Sequence, residues 1–397
     1  MAAELLVEVA FATNPGNPVP VWTDISAYVR SASIRRGRQH ELDQQQAGTA
    51  TLTLTNSDGR FDPTNAGSPY SPNVLPMRKL RISGIYSATT YRLFTGFIEA
   101  WPQTWVGNNV GTVTITATDG FKVLGLKTLN ASYEVERTDQ RVADILFDIG
   151  WSSADRLISS GMSMVTSATL ENVNALAHIQ QAVLTENGRG FIAGDGAFVF
   201  QDRHAPFSST ANNATFGDNA TEFGYTGIVV SYDDAQIYNE IRCAVVGGAE
   251  QVAADTATSQ LRYFARTLTR SGLLTPDSNE AQAAANFLLA QYKDPALRIE
   301  SIEIQPDTDP ANLYPQVYDR ELGDRVLVNR RPAAGNTISQ QSFIEGIELN
   351  FAVGTLTKAI WRLSAVGIGY SVGSPIKLDT GSAQLVDAAG TSGVLVY

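Results

Sequence analysis

DISAYVRSASIRRGRQHELDQQQAGTATLTLTNSDGRFDP, residues Asp24 to Pro63, is the stretch on which the fold turns. Ile25, Tyr28 and Val29 open it. A polar crossing rich in Arg and Gln follows from Arg35 to Gln46. Thr49 to Thr55 then alternates Thr with apolar residues, which puts Leu52 and Leu54 on one face of a half-buried strand. Asn56-Ser57-Asp58-Gly59 closes the stretch as a turn, because Asn, Asp and Gly tolerate the backbone angles a tight turn demands. None of this has the residue types of a catalytic site. It reads as a strand edge that one subunit offers to another.

The surrounding chain fits that reading. Its 397 residues are 43% apolar and only 17% charged, so it is globular and long enough for two or three domains. Thr, Ser, Asn and Gln cover the surface in place of charge, and 33 Gly and 16 Pro favour many turns over long helices. The net charge of −11 argues against tight nucleic-acid binding, which depends on displacing counterions from phosphates. The single cysteine, Cys243, allows no internal disulfide and reads as a core thiol on a strand. No apolar run is long enough to span a membrane, and the acids Glu4 and Glu8 exclude a signal-peptide start, so synthesis and folding in a cytoplasm are expected.

Residues 1–128 read as β throughout, a barrel-like unit of short strands separated by turn signals. At about Thr128 the period changes. Thr138 can cap a helix whose apolar face is Val142, Ile145, Leu146 and Ile149, and Asn172 to Glu186 reads as a second helix. A hairpin around Gly194-Asp195-Gly196 completes an α+β insert over 129–203. Strands resume in 204–369, a second β domain with one helix that starts at Asp277 or Ser278. Residues 370–397 read as an extension contacting neighbours. The expected class is mainly β, with two barrel- or sandwich-like domains flanking a small helical domain.

The two β domains look duplicated. Leu80-Arg-Ile, Phe94-Thr-Gly96-Phe-Ile-Glu-Ala-Trp101 and Val113-Thr-Ile-Thr-Ala-Thr match Val326-Leu-Val, Ile344-Glu-Gly346-Ile-Glu-Leu-Asn-Phe351 and Ala359-Ile-Trp-Arg-Leu-Ser. In this alignment Gly96 falls on Gly346, and an aromatic follows five residues later in both.

The order of DISAYV, LTNSDGRFDP, YRLFTGFIEAW, VTITATDGFKVL, GDGAFVFQDR and the late GDRVLV and FIEGIEL pair resembles the tail-hub proteins of long-tailed bacteriophages, also called minor tail or baseplate hub proteins. The likeness spans most of residues 20 to 367. It implies a homotrimer at the tip of the tail tube, with its two β domains alternating around the axis to match a six-fold ring. The partners it implies are the distal tail protein, the tape-measure protein, a spike, fibre or receptor-binding protein, and genomic DNA in passage. It implies a place in the virion. Larger hubs continue into an enzyme or fibre segment, whereas this sequence stops soon after the second β domain, which puts such an activity on this chain in doubt.

The residues themselves point away from catalysis. His40, His178 and His204 are scattered, and no zinc pattern, nucleophile elbow or phosphate loop is present, so no cofactor or metal is expected. Asp233-Asp234 and Glu300/Glu303 are candidate carboxylates, but on strands they read as solvated or capping acids. Arg35, Arg36 and Arg38 form the one dense basic patch and read as a salt-bridged edge or a contact for the tape measure or DNA. Trp22, Trp101 and Trp105 read as core or interface anchors. The expectation is a structural, non-enzymatic trimeric ring with an acidic channel. The alternatives are a carbohydrate- or receptor-binding tip module and a hexameric distal ring protein.

Overall fold

A computed structural model gives the architecture. It describes residues 3–107, 110–205, 211–352 and 354–366, together with the short strands Lys377–Leu378, Leu385–Val386 and Ser392–Gly393. The expected neighbour contact of residues 370–397 lies outside the described residues.

The protein is mainly β. Its main sheet runs Gly227–Ser231, Arg298–Ile304, Thr355–Ala365, Ile338–Ala352, Val29–Gly37, Gln46–Thr55, Val110–Thr118, Thr89–Ala100, Lys79–Tyr86, Glu4–Val9 and Thr23–Asp24, each neighbour antiparallel to the next. The strand Arg325–Arg330 pairs with the first part of Ile338–Ala352, and Gln103–Val106 pairs with Val110–Thr118. Alternation makes these elements: in Gln46–Thr55 the buried residues Ala50, Leu52 and Leu54 alternate with outward threonines. Burial of each leucine contributes about 2 kcal/mol. Gly59 has φ +68°, and its amide donates to the Asn56 carbonyl, so the expected turn forms there.

The duplication is visible in the strand order. Val29–Gly37, Gln46–Thr55, Val110–Thr118, Thr89–Ala100 and Lys79–Tyr86 lie side by side in the first half. Gly227–Ser231, Arg298–Ile304, Thr355–Ala365, Ile338–Ala352 and Arg325–Arg330 repeat that order in the second. The register corrects the sequence alignment. Phe97 faces Thr118 as Phe343 faces Ser364, and Gln103 faces Val113 as Leu349 faces Ala359. One offset of 246 residues therefore relates Phe97-Ile98-Glu99-Ala100 to Phe343-Ile344-Glu345-Gly346, and Trp105 to Phe351. Gly96 corresponds to Ser342, not to Gly346. A bulge interrupts both copies at the same place, between Ile98 and Ala100 and between Ile344 and Gly346.

The halves do not have separate cores. One apolar cluster takes Leu52, Leu54, Phe94 and Ile115 from the first and Phe216, Ile302, Ile344 and Trp361 from the second. The helix Pro310–Asp319 locks them together. Tyr314 stacks on Tyr86 at 5.2 Å, and Tyr318 lies so close to Gly84 that a Cβ there would sit 2.5 Å from its ring.

Three further expectations change. The described residues of 204–369 hold three α-helices, Ser259–Tyr263, Ser278–Tyr292 and Pro310–Asp319, where one was expected. Pro310 and Pro315 disguised the last, although Pro310 stands at its first position, where no amide donor is needed, and Leu313, Tyr314, Val317 and Tyr318 form its buried face. Residues 1–128 are not β throughout, since Phe121–Leu126 is a short helix whose Phe121 and Leu124 join the core of the insert. The second predicted helix begins at Ala175, capped by Asn174, because Ala168–Asn174 is drawn into a strand beside Thr128–Tyr133. A separate small unit, a three-stranded sheet covered by Ser278–Tyr292, has its own core of Ile241, Cys243, Ala285 and Leu288.

Candidate functional site

The two halves meet where Val29–Gly37 pairs with Ile338–Ala352, in a register that runs from Gly37 opposite Gly346 to Ser31 opposite Ala352. Gly37 has φ +91°, and a Cβ on it would lie 2.2 Å from the Glu345 carbonyl oxygen. A Cβ on Gly346 would lie 2.7 Å from the Arg38 carbonyl oxygen. Two glycines in register thus let the strands approach closely at the bulge.

The bulge turns Glu345 inward, where it is 1% exposed. Its carboxylate accepts from Arg38 Nε at 2.7 Å, Arg189 Nη2 at 2.6 Å and Ser364 Oγ at 2.7 Å. Its carbonyl accepts from the Arg38 amide at 2.8 Å. Burial pushes the Glu345 carboxyl up, but Arg189, Arg38 and Ser364 outweigh it and hold it at about 2. Beside it Arg36 pairs with Glu321 at 2.6 Å, and Glu321 also accepts from the Gly194 amide at 2.9 Å. Asp119, which accepts from the Gly48 and Phe121 amides, has its carboxyl raised by burial to about 7 against the pull of those amides and of Arg36. The first half, the insert and the second half therefore share one buried charged node. Such a node specifies register more than it adds net stability, since desolvation offsets most of the attraction.

The structure separates the residues of the basic patch. Arg36 and Arg38 point into the node and Arg35 is exposed. Trp101 is buried, donates to the Leu75 carbonyl at 2.9 Å and stacks near Phe11 and Phe61. Trp22 is half-buried beneath the Arg81 guanidinium, 4.3 Å from its ring centre. Trp105 is 45% exposed and lies with Val106 and Val110 on an apolar hairpin. Sequence reading missed Glu345, Arg189 and Glu321. The shared Phe-Ile-Glu of the two copies was the available signal.

The candidate carboxylates are not gathered around a cleft. Glu303 pairs with Lys358 at 2.7 Å, Asp234 with Arg266, and Asp233 accepts from the Ala235 amide. His178 is buried against Arg141, and burial followed by that guanidinium lowers its imidazole to about 4. Among the described residues no group of His, Cys, Asp and Glu has metal-holding geometry, and no helix is long and apolar enough to cross a membrane.

No family model and no curated protein matches the sequence. Solved structures do. A tail protein from Neisseria meningitidis MC58 superposes with a TM-score of 0.59 at 12% identity, covering 92% of this chain and 97% of that one. The 43 kDa tail protein of prophage MuSo2 from Shewanella oneidensis gives 0.61 at 9% identity, over 92% and 98%. The fold is that of phage tail proteins. The same tail-protein fold reaches a component of the Escherichia coli type VI secretion system, described as similar to T4 tail proteins gp27 and gp5, with a TM-score of 0.50 at 11% identity over 94% and 81%.

Proposed function

We propose that this protein is a structural hub of a phage tail tip, a homotrimeric ring that joins the tail tube to the tip proteins and frames the DNA channel. The observation that carries the reading is the duplicated five-strand unit welded into one sheet: three chains with two such units each present six similar faces, which suits a six-fold neighbour. The distal tail protein is its partner on the tube side, a spike, fibre or receptor-binding protein on the other, and the end of the tape-measure protein in the lumen. Its work is mechanical and needs no catalytic group. The net charge of −11 supports a channel wall that lets DNA slide without adhesion.

The test is native mass measurement of the purified chain. Three copies are expected. Six copies would mean a distal ring protein, and a monomer at high concentration would overturn the hub reading. In the same preparation, duplex DNA at physiological salt should show no retention.

A further inference from the structure

The duplicated unit leaves one strand edge uncovered at each of two places. In the first half, the outer edge of Val29–Gly37 is covered by Ile338–Ala352 of the second half. Among the described residues its counterpart in the second half, Gly227–Ser231, pairs with Arg298–Ile304 alone and ends the sheet. The strand that does the covering also has a counterpart. Leu349 to Ala352 corresponds to Gln103–Val106, which among the described residues pairs with Val110–Thr118 alone. One edge lacks its cover and the other lacks the edge it would cover. Each is apolar and accessible: Trp105 is 45% and Val106 68% exposed on one, and Val229 is 50% exposed on the other. Exposed apolar strand edges pair with other chains unless they are blocked by charge, proline or a bulge.

We infer that Thr104 to Val106 of one copy adds to Gly227 to Val229 of the next, antiparallel and on the near side of the bulge between Val229 and Val230, repeating between chains the pairing that joins the two halves within a chain. The register follows from the internal one. Leu349, Asn350, Phe351 and Ala352 face Ile34, Ser33, Ala32 and Ser31. Ala32 corresponds to Ile228, because Ala32 faces Leu52 and Ile228 faces Ile302 at equivalent places. Thr104 therefore faces Val229 of the next copy, Trp105 faces Ile228, and Val106 faces Gly227. The contact is head-to-tail, each chain using one edge of each kind, so it needs no two-fold axis and gives a ring when its rotation closes after three chains, as the hub reading requires. It is shorter than the internal seam and lacks the charged node, since Ser231-Tyr232-Asp233-Asp234 carries no arginine to match Arg36 and Arg38 of the first half. This inference rests on the hub reading and names the surface that the assembly uses.

Cysteines at Thr104 and Val229 test it. Facing residues of an antiparallel pair have the Cα spacing that a disulfide needs. The chain carrying Thr104→Cys and Val229→Cys, oxidised at assembling concentration, should give a covalent ladder that ends at three chains, and neither single variant should. Ser33→Cys with Asn350→Cys is the control, because those residues face each other across the internal seam and should link within one chain. A trimer by mass that leaves the 104 and 229 thiols unlinked while the control closes would overturn the strand pairing and leave the hub reading standing. A monomer throughout would overturn both. A charge test needs no oxidation. Thr104→Glu with Val229→Glu should raise the concentration for half-assembly about tenfold or more, and Thr104→Lys with Val229→Glu should restore it. Identical assembly of the two charge variants would overturn the inferred register.

Discussion

Glu99 and Glu345 stand at the same place in two copies of Phe-Ile-Glu, on the same bulge, yet their surroundings are opposite. Glu345 is 1% exposed and holds Arg38 and Arg189. Glu99 is 42% exposed and accepts from the Thr118 hydroxyl at 2.6 Å and Lys122 at 3.0 Å. The side chain and the local backbone do not decide between these fates. The strand lying opposite does. Where Val29–Gly37 crosses, Glu345 is sealed in and the next residue must be Gly346; beside Glu99 no described strand of the same chain crosses, and the next residue is Ala100. A duplicated motif has thus become a keystone in one copy and stayed a surface feature in the other.

Glu345→Gln is the strongest way to break the comparison. It leaves two buried guanidiniums short of a counter-charge, so a loss of about 3–5 kcal/mol is expected in urea unfolding. Glu99→Gln should stay within about 0.5 kcal/mol. Equal losses at the two sites would show that burial of the node is not what separates the copies. Gly346→Ala comes next. Its Cβ would press on the Arg38 carbonyl, and about 1–3 kcal/mol should be lost. The reverse change in the other copy, Ala100→Gly, should cost about 0.5–1 kcal/mol through chain entropy alone.

A pH series sharpens the same contrast. The folded pKa of Glu345, about 2, lies below its ordinary value, so its contribution is present above about pH 4.5 and is lost as pH falls toward 2. Asp119 acts in the other sense. Its folded pKa of about 7 lies above its unfolded value, so its contribution to stability falls as pH rises from about 4 to 7. The melting-temperature gap between the parent chain and Glu345→Gln should therefore close on acidification below pH 4. A gap independent of pH would mean that packing and not charge underlies it. The smallest effect on the fold is expected at Trp105→Ala, within about 0.5 kcal/mol by thermal unfolding, because the ring is 45% exposed and lies outside the shared apolar core.

Much of this architecture was legible. The alternation of Thr49 to Thr55, the turn at Gly59, the core position of Cys243 and the helix capped by Asp277 follow from local pattern, and local pattern is what short-range sterics and burial write into a sequence. The duplication was legible in outline, but matching glycine to glycine set its middle strand out of frame. Phe-Ile-Glu was the better guide, since it sits on the bulge that both copies share, whereas Gly346 answers to a close approach made in one copy. The node was not legible. Arg38, Arg189 and Glu345 are separated by more than a hundred residues each, and nothing local distinguishes Glu345 from Glu99. The helix Pro310–Asp319 hid behind its prolines, and its stacking on the first half is a tertiary fact.

That helix has a mechanical consequence. With the Tyr318 ring seated in the notch left by Gly84, and with Tyr314 against Tyr86, the halves are doweled as well as zipped. Sliding one past the other means drawing two phenol rings out of their seats while a row of backbone bonds shears together. Both fastenings resist the same sliding motion, so a load on one half is shared between the helix and the strand seam.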